Sequence, residues 1–247
     1  MDEPDLLITD HGPVRHLTLN RPHRLNAFTA EAYFGLAEAL AQAAADEAVE
    51  QVLLSGAGRG YCAGVDLYAL GESEGDAFSR GITTVVLALA NFPKPIVAAV
   101  HGAIVGFGAT MLLHVDIVIT ADDARWRFPF SELGTAPEAG SSFMLQKIVG
   151  ERRAAELLLT SRWVSGVEAA QIGLATESVP ADQVLERAQA ILDQMAGLHA
   201  PAERGAKALL RRGWAQEIAD AIVRETQAAG EISREIGGPG FARAPRQ

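Results

Sequence analysis

Pro93-Lys-Pro-Ile-Val-Ala-Ala-Val-His-Gly-Ala-Ile-Val-Gly-Phe-Gly108 is the stretch on which the reading of this chain turns. Two prolines punctuate it, Ile96–Val100 is a short apolar run, and Gly102, Gly106 and Gly108 interrupt the residues after that run. The pattern predicts a buried strand, a turn and a buried helix starting near Gly106. No Asp, Glu, Lys or Arg occurs from Pro95 to Val115, a length that raises the question of a membrane span. His101, His114 and the three glycines inside it argue instead for the interior of a soluble domain.

Working outward, Leu6–Thr9 and Val14–Leu19 are β-prone and separated by Asp10-His-Gly-Pro13, which predicts a hairpin. Thr29 is an N-cap candidate for a helix to about Ala45, followed by a strand Val52–Ser55 and a glycine-rich loop Gly56–Gly64. A helix over Asp76–Asn91 precedes the central stretch, and a strand Asp116–Thr120 comes after it. Strands alternating with helices predict a parallel sheet, because each parallel strand needs a crossover. Beyond residue 140 strands almost vanish. Helices are predicted at Ser142–Val149, Glu151–Leu159, Gly166–Ile172, Ala181–Gly197, Pro201–Arg212 and Ala215–Glu235, with Ser165 and Glu168 spelling a capping box. The expectation is an α/β core over 1–195, a helical region over 196–247, and a loose end from Gly237.

Composition narrows the function. With 49% hydrophobic and 21% charged residues the chain is an ordinary globular one. Lys and Arg total 21 against 31 Asp and Glu, a net charge of −10, so nucleic acid is not an expected partner. The single cysteine, Cys62, excludes an internal disulfide, and the six histidines show no metal-ligand spacing, so no metal is expected. The acidic Met-Asp-Glu-Pro-Asp start is unlike a targeting peptide, and a cytoplasmic location is expected.

Two glycine clusters, Gly56–Asp66 and His101–Gly108, each lie where a strand hands over to a helix. Backbone N–H groups are unpaired at such places and can hold an anion or a developing oxyanion. The bland alternative is that the glycines only permit tight turns.

Four ordered motifs carry a resemblance across most of the chain. They are Leu19-Asn-Arg-Pro-His-Arg-Leu-Asn-Ala27, Gly58-Arg-Gly-Tyr-Cys-Ala-Gly-Val-Asp66, Pro93-Lys-Pro-Ile-Val-Ala-Ala-Val-His-Gly102 and Ser165-Gly-Val-Glu-Ala-Ala-Gln-Ile-Gly-Leu174. The sequence resembles the crotonase (enoyl-CoA hydratase/isomerase) superfamily. The resemblance implies a spiral of β-β-α units, a helical C-terminal region used in trimer formation, and acyl-CoA thioesters as substrates. It also implies that the thioester oxygen is held by the backbone N–H groups of Val65 and Phe107. Carried over as neighbours of the substrate are His23, Arg24, Leu25, Ala63, Gly64, Asp66 and Leu67, together with Gly106, Thr110 and Phe130. No cofactor is implied beyond the coenzyme A of the substrate itself. Tyr61 and Cys62 read as packing residues.

The carboxylates decide which reaction is expected. Where the family's hydratases carry two glutamates, this chain has Thr110 and Phe130. A different acid stands in Thr135-Ala-Pro-Glu138-Ala-Gly-Ser-Ser142, which resembles the Pro-Glu-Gly-Cys-Ser-Ser stretch of 3,2-enoyl-CoA isomerases. Glu138 is therefore the expected proton carrier; Glu132 is the nearby rival, and Trp126, Phe107, Phe130 and Phe143 are candidate walls. The expected activity is isomerisation of a 3-enoyl-CoA to the 2-enoyl-CoA by a homotrimer or homohexamer. The alternatives are another acyl-CoA reaction (hydration, hydrolysis, dehalogenation, decarboxylation) or a silent acyl-CoA-binding protein.

Overall fold

Thr29 opens the first long helix: its Oγ1 accepts the Ala32 N–H at 3.2 Å, supplying one of the donors a helix start leaves unpaired with an acceptor. In this computed structural model, which describes residues 4–72 and 75–238, that helix is α1 (Ala30–Ala45). It buries Tyr33, Leu36, Ala37, Leu40 and Ala43, the stripe that i, i+3, i+4 spacing puts on one face. Its partner is α3 (Gly75–Ala90), preceded by the short α2 (Leu67–Glu72).

Both helices bury side chains in the same core as a six-stranded sheet. Its strands are β1 (Leu6–His11), β2 (Val14–Leu19), β3 (Gln51–Gly56), β4 (Ile96–Val100), β6 (Ile117–Ala121) and β9 (Glu177–Val179), in that spatial order. β1 and β2 form the predicted hairpin, and every other neighbouring pair is parallel. All five residues of β4 are buried, as a strand covered on both faces requires. A second, three-stranded sheet holds β5 (Ala103–Val105), β7 (Arg125–Arg127) and β8 (Val164–Ser165). These short strands, β9 and α2 are absent from the sequence expectation; two or three residues of strand leave no periodicity to read.

The buried helix after Gly106 is a single turn, α4 (Phe107–Thr110), continuing as a 3₁₀ turn over Met111–His114. Among the described residues no helix is long and apolar enough to cross a membrane. The remaining helices are α5 (Ser141–Val149), α6 (Glu151–Thr160), α7 (Gly166–Ile172), α8 (Val184–Ala196), α9 (Ala200–Leu210) and α10 (Trp214–Glu235). The helix predicted over Ala181–Gly197 starts as a 3₁₀ turn, Ala181–Gln183, before α8. The capping box is half formed. Ser165 accepts the Glu168 N–H at 3.1 Å, but the Glu168 carboxylate is held by Arg162 instead of reaching back.

Two buried lysines tie helices to the sheet. Lys94 Nζ donates to the carbonyls of Ala43 and Asp46 at 2.6 and 2.7 Å, closing the end of α1. Lys207 on α9 donates to the Lys94 carbonyl and to Asp116, both at 2.7 Å. Helix α10 packs against α3 and α5. Most of the segment expected to be loose, 239–247, lies outside the described residues.

Candidate active site

The loop after β3 is laced between two strips of backbone. On one side Cys62 N–H donates to Ala103 O and Val105 N–H to Cys62 O, both at 3.0 Å. On the other, Ala63 N–H donates to Leu25 O at 2.9 Å, Phe28 N–H to Gly64 O at 2.8 Å and Asp66 N–H to Phe28 O at 2.8 Å. In such a parallel bridge the central residue of one strand, here Val65, points its own N–H away from the partner. Gly106 (φ 54°, ψ −121°) then turns the chain so that Phe107 and Gly108 start α4, before any intrahelical acceptor exists for their N–H groups. Among the described residues neither the Val65 nor the Phe107 N–H has an acceptor.

The two turns interlock. A Cβ on Gly64 (φ +94°) would stand 2.8 Å from Val105 O and 3.4 Å from Phe107 N, and one on Gly108 would stand 2.4 Å from Cys62 O. Only glycine permits that approach. The interlock brings two unpaired amides to neighbouring turns, the arrangement that stabilises a developing oxyanion.

Glu138 enters from the bend before α5. Ala139 and Gly140 both have positive φ, 62° and 69°, so the chain reverses immediately after the acid. Four hydrogen bonds hold this bend. Ser141 N–H donates to Glu138 O at 3.0 Å, His114 Nε2–H donates to Ala139 O at 2.8 Å, and Glu225 of α10 accepts from Gly140 N–H and Ser142 N–H at 2.8 Å each. Glu138 lines a cavity of about 330 Å³ together with Phe130, Pro137, Ile222, Glu225 and Thr226. Burial first, and the Glu225 carboxylate second, push the Glu138 carboxyl up to about 8. Its charge in turn bears on the Tyr33 hydroxyl and the Cys62 thiol. Tyr33 is fully buried against Phe28 and Phe107, ring centroids 4.8 and 4.7 Å away, and among the described residues its hydroxyl has no partner. Burial drives the Cys62 thiol to about 12, which keeps it protonated.

The other sequence-predicted residues are spread over several places. His23 and Arg24 are exposed beside the loop, with the Arg24 guanidinium 5.2 Å from the ring centroid of Tyr68 on α2; Leu67 is exposed next to it. Leu25 and Ala63 are joined backbone to backbone, deeper in the wall. The Asp66 side chain is turned inward: it is 6% exposed, pairs with Arg21 at 3.2 Å and accepts the Tyr68 and Ala69 N–H groups at the start of α2. Thr110 is fully buried, with Oγ1 3.4 Å from Phe107 O. Of the candidate walls, Phe130 lines the cavity and Phe107 packs on Tyr33, whereas Trp126 is a core residue whose Nε1–H donates to Thr120 at 3.1 Å. Phe143 lies under the Lys147 ammonium, 5.3 Å from its ring centroid. Glu132 is exposed and its carboxylate rests on Arg127. Sequence reading missed Tyr33, His114 and Glu225, each of which belongs to an element far in sequence from residue 138.

The enoyl-CoA hydratase/isomerase family model matches residues 10–234. The 1,2-epoxyphenylacetyl-CoA isomerase of Escherichia coli is 38% identical over 190 residues, 74% of this chain and 72% of that protein. Among solved structures, an enoyl-CoA hydratase/isomerase from Pseudoalteromonas atlantica superposes with a TM-score of 0.89 at 31% identity, covering 99% of this chain and 100% of the other. An enoyl-CoA hydratase from Mycobacterium avium subsp. paratuberculosis gives 0.89 at 28% identity, covering 98% of each. Relatives carry both hydratase and isomerase names. With its crotonase fold, this chain belongs to the enoyl-CoA hydratase/isomerase family.

Proposed function

We propose that the protein isomerises a 3-enoyl-CoA to the trans-2-enoyl-CoA, with Glu138 as the single proton carrier. The observation that carries this reading is the Glu138 carboxyl itself, lining a cavity beside Phe130, Pro137 and Ile222 with its ionisation pushed up to about 8. An acid poised near neutrality serves as base and then as acid in one turnover.

The carboxylate takes a proton from C2 of the 3-enoyl thioester. The electrons of that C–H bond form the C1–C2 double bond of a dienolate and spread onto the thioester oxygen, which lies at the Val65 and Phe107 amides. Protonated Glu138 then returns the proton to C4; the electrons flow back from oxygen, the double bond settles between C2 and C3, and conjugation with the thioester favours the product. Each preorganised amide is worth about 2.7–4 kcal/mol, by analogy with other oxyanion holes. His23 and Arg24, exposed beside the first loop, meet the coenzyme A moiety.

A hydratase needs a second carboxylate to activate water. Thr110 and Phe130 provide none, Glu132 is turned out onto Arg127, and both oxygens of Glu225 are engaged by backbone amides. Exposed Leu159, Leu209, Leu210 and Val223 on the helices after residue 140 support assembly as a homotrimer or homohexamer.

Glu138→Gln tests the reading. The amide keeps the shape and loses the base, so turnover of a 3-enoyl-CoA should fall about 10²–10⁴-fold with KM little changed. Full activity in the variant, or efficient formation of a 3-hydroxyacyl-CoA by the wild type, would overturn it.

A further inference from the structure

Helix α10 turns one charged side chain inward. Ile218, Ala221 and Ile222 are its apolar buried residues, and Glu225, 6% exposed, lies on the same face. A buried carboxylate is costly unless donors surround it. Here each oxygen takes one backbone N–H at 2.8 Å, from Gly140 and from Ser142. Those amides lie two and four residues after Glu138, and both acids line the same cavity.

We propose that Glu225 is the positioning residue of the proton carrier: by clamping the Gly140 and Ser142 amides it fixes the bend at Ala139 and so aims Glu138. This rests on the reading of Glu138 as proton carrier. The clamp also sets a charge beside that acid. The ionisable groups facing Glu138 are Tyr33 of α1, Cys62 of the first loop and Glu225 of α10; burial holds the first two neutral, and it also pushes the Glu225 carboxyl up, against the Ser142 and Gly140 hydrogen bonds that favour its charged form, so Glu225 is the group whose ionisation is felt at Glu138. Around Glu225, Arg224 lies on its own helix, while Arg80 of α3 and Lys147 of α5 are exposed on the packed elements. A negative neighbour makes Glu138 harder to ionise. Removing it moves the pH at which Glu138 becomes a base downward.

The test uses kcat and KM on a 3-enoyl-CoA across pH, with ¹³C NMR titration of the glutamate carboxyls, the Glu138 and Glu225 signals being assigned by their loss in Glu138→Gln and Glu225→Gln. Glu225→Gln keeps the length, removes the charge and turns an amide NH₂ toward one of the two donors. Its kcat should fall tenfold or more with KM nearly unchanged, and both the acidic limb and the Glu138 titration should move to lower pH. Glu225→Asp keeps the charge but is too short to reach both amides, so kcat should fall with the Glu138 titration nearly unmoved. In the wild type the two carboxyls should each titrate with an inflection at the other's midpoint. A folded Glu225→Gln protein with an unmoved Glu138 titration, or with kcat within twofold of wild type, overturns the proposal, and so do independent single titrations in the wild type. Failure of the proton-carrier reading is distinct: it shows as activity in Glu138→Gln, whatever the titrations do.

Discussion

A side-chain carbon on Gly64 would stand 3.4 Å from the backbone nitrogen of Phe107 and 2.8 Å from Val105 O. The two glycine-rich turns are thus in contact at the point where their amides are left unpaired. Gly64→Ala would both force a residue with a Cβ into φ +94° and push the turns apart. Turnover should drop about 10²–10³-fold, the size of effect seen when one oxyanion donor is lost. Steady-state kinetics on a 3-enoyl-CoA check this; a loss under threefold would separate Gly64 from the chemistry.

Asn26 is the hidden fastener of the first loop. Its amide donates to the carbonyls of Ala57, Gly60 and Tyr61 at 2.9, 2.9 and 3.0 Å, and its oxygen accepts the Arg21 N–H at 2.8 Å. Asn26→Asp keeps the shape and tolerates the positive φ, but aims a carboxylate at three carbonyl oxygens. We expect destabilisation of about 3 kcal/mol or more at pH 8. Urea unfolding should show the loss shrinking at acid pH, where the new carboxyl is protonated.

His114 makes stability depend on pH. Burial holds its imidazole down to about 4, below the ordinary 6.5, and among the described residues its Nδ1 has no partner. The unfolded chain therefore takes up a proton that the folded one refuses. Stability is full above about pH 6.5 and falls on acidification toward pH 4, by up to about 3 kcal/mol from this group. His114→Gln can still donate to Ala139 O and does not titrate, so its urea midpoint should change less between pH 7 and pH 4.5.

Glu138 acts in the opposite direction. Its folded value near 8 exceeds the ordinary 4.5, so ionisation costs more in the folded state. The penalty is absent below pH 4.5, grows through the window to pH 8 and is complete above it. Glu138→Gln should therefore unfold at higher urea than wild type at pH 9, by about 2 kcal/mol or more, with the gain vanishing near pH 4. Equal gains at both pH values would show that the acid is not desolvated.

The long periodic elements were legible in the sequence because their signals are local. Thr29 announces α1, the unbroken apolar run of Ile96–Val100 announces β4, and Ser165 announces α7. The strand-to-helix glycine turns were legible for the same reason, and the motif around Glu138 singled that residue out as a candidate. The strands of two or three residues were not, since β5, β7 and β8 exist only through pairing with one another. Nor was the role of Asp66 as cap of α2 and partner of Arg21.

By itself the sequence determined the family, the alternation of strand and helix and the two glycine-rich turns, and it singled out Glu138 as a candidate, all of them patterns contained within a few consecutive residues. Only the tertiary structure decided what surrounds that acid. Glu225 reaches Gly140 across 85 residues of chain and His114 reaches Ala139 across 25. The ionisation of Glu138 is a consequence of that assembly, because desolvation and a neighbouring charge are properties of the folded space around a carboxyl and not of the residues beside it in the chain.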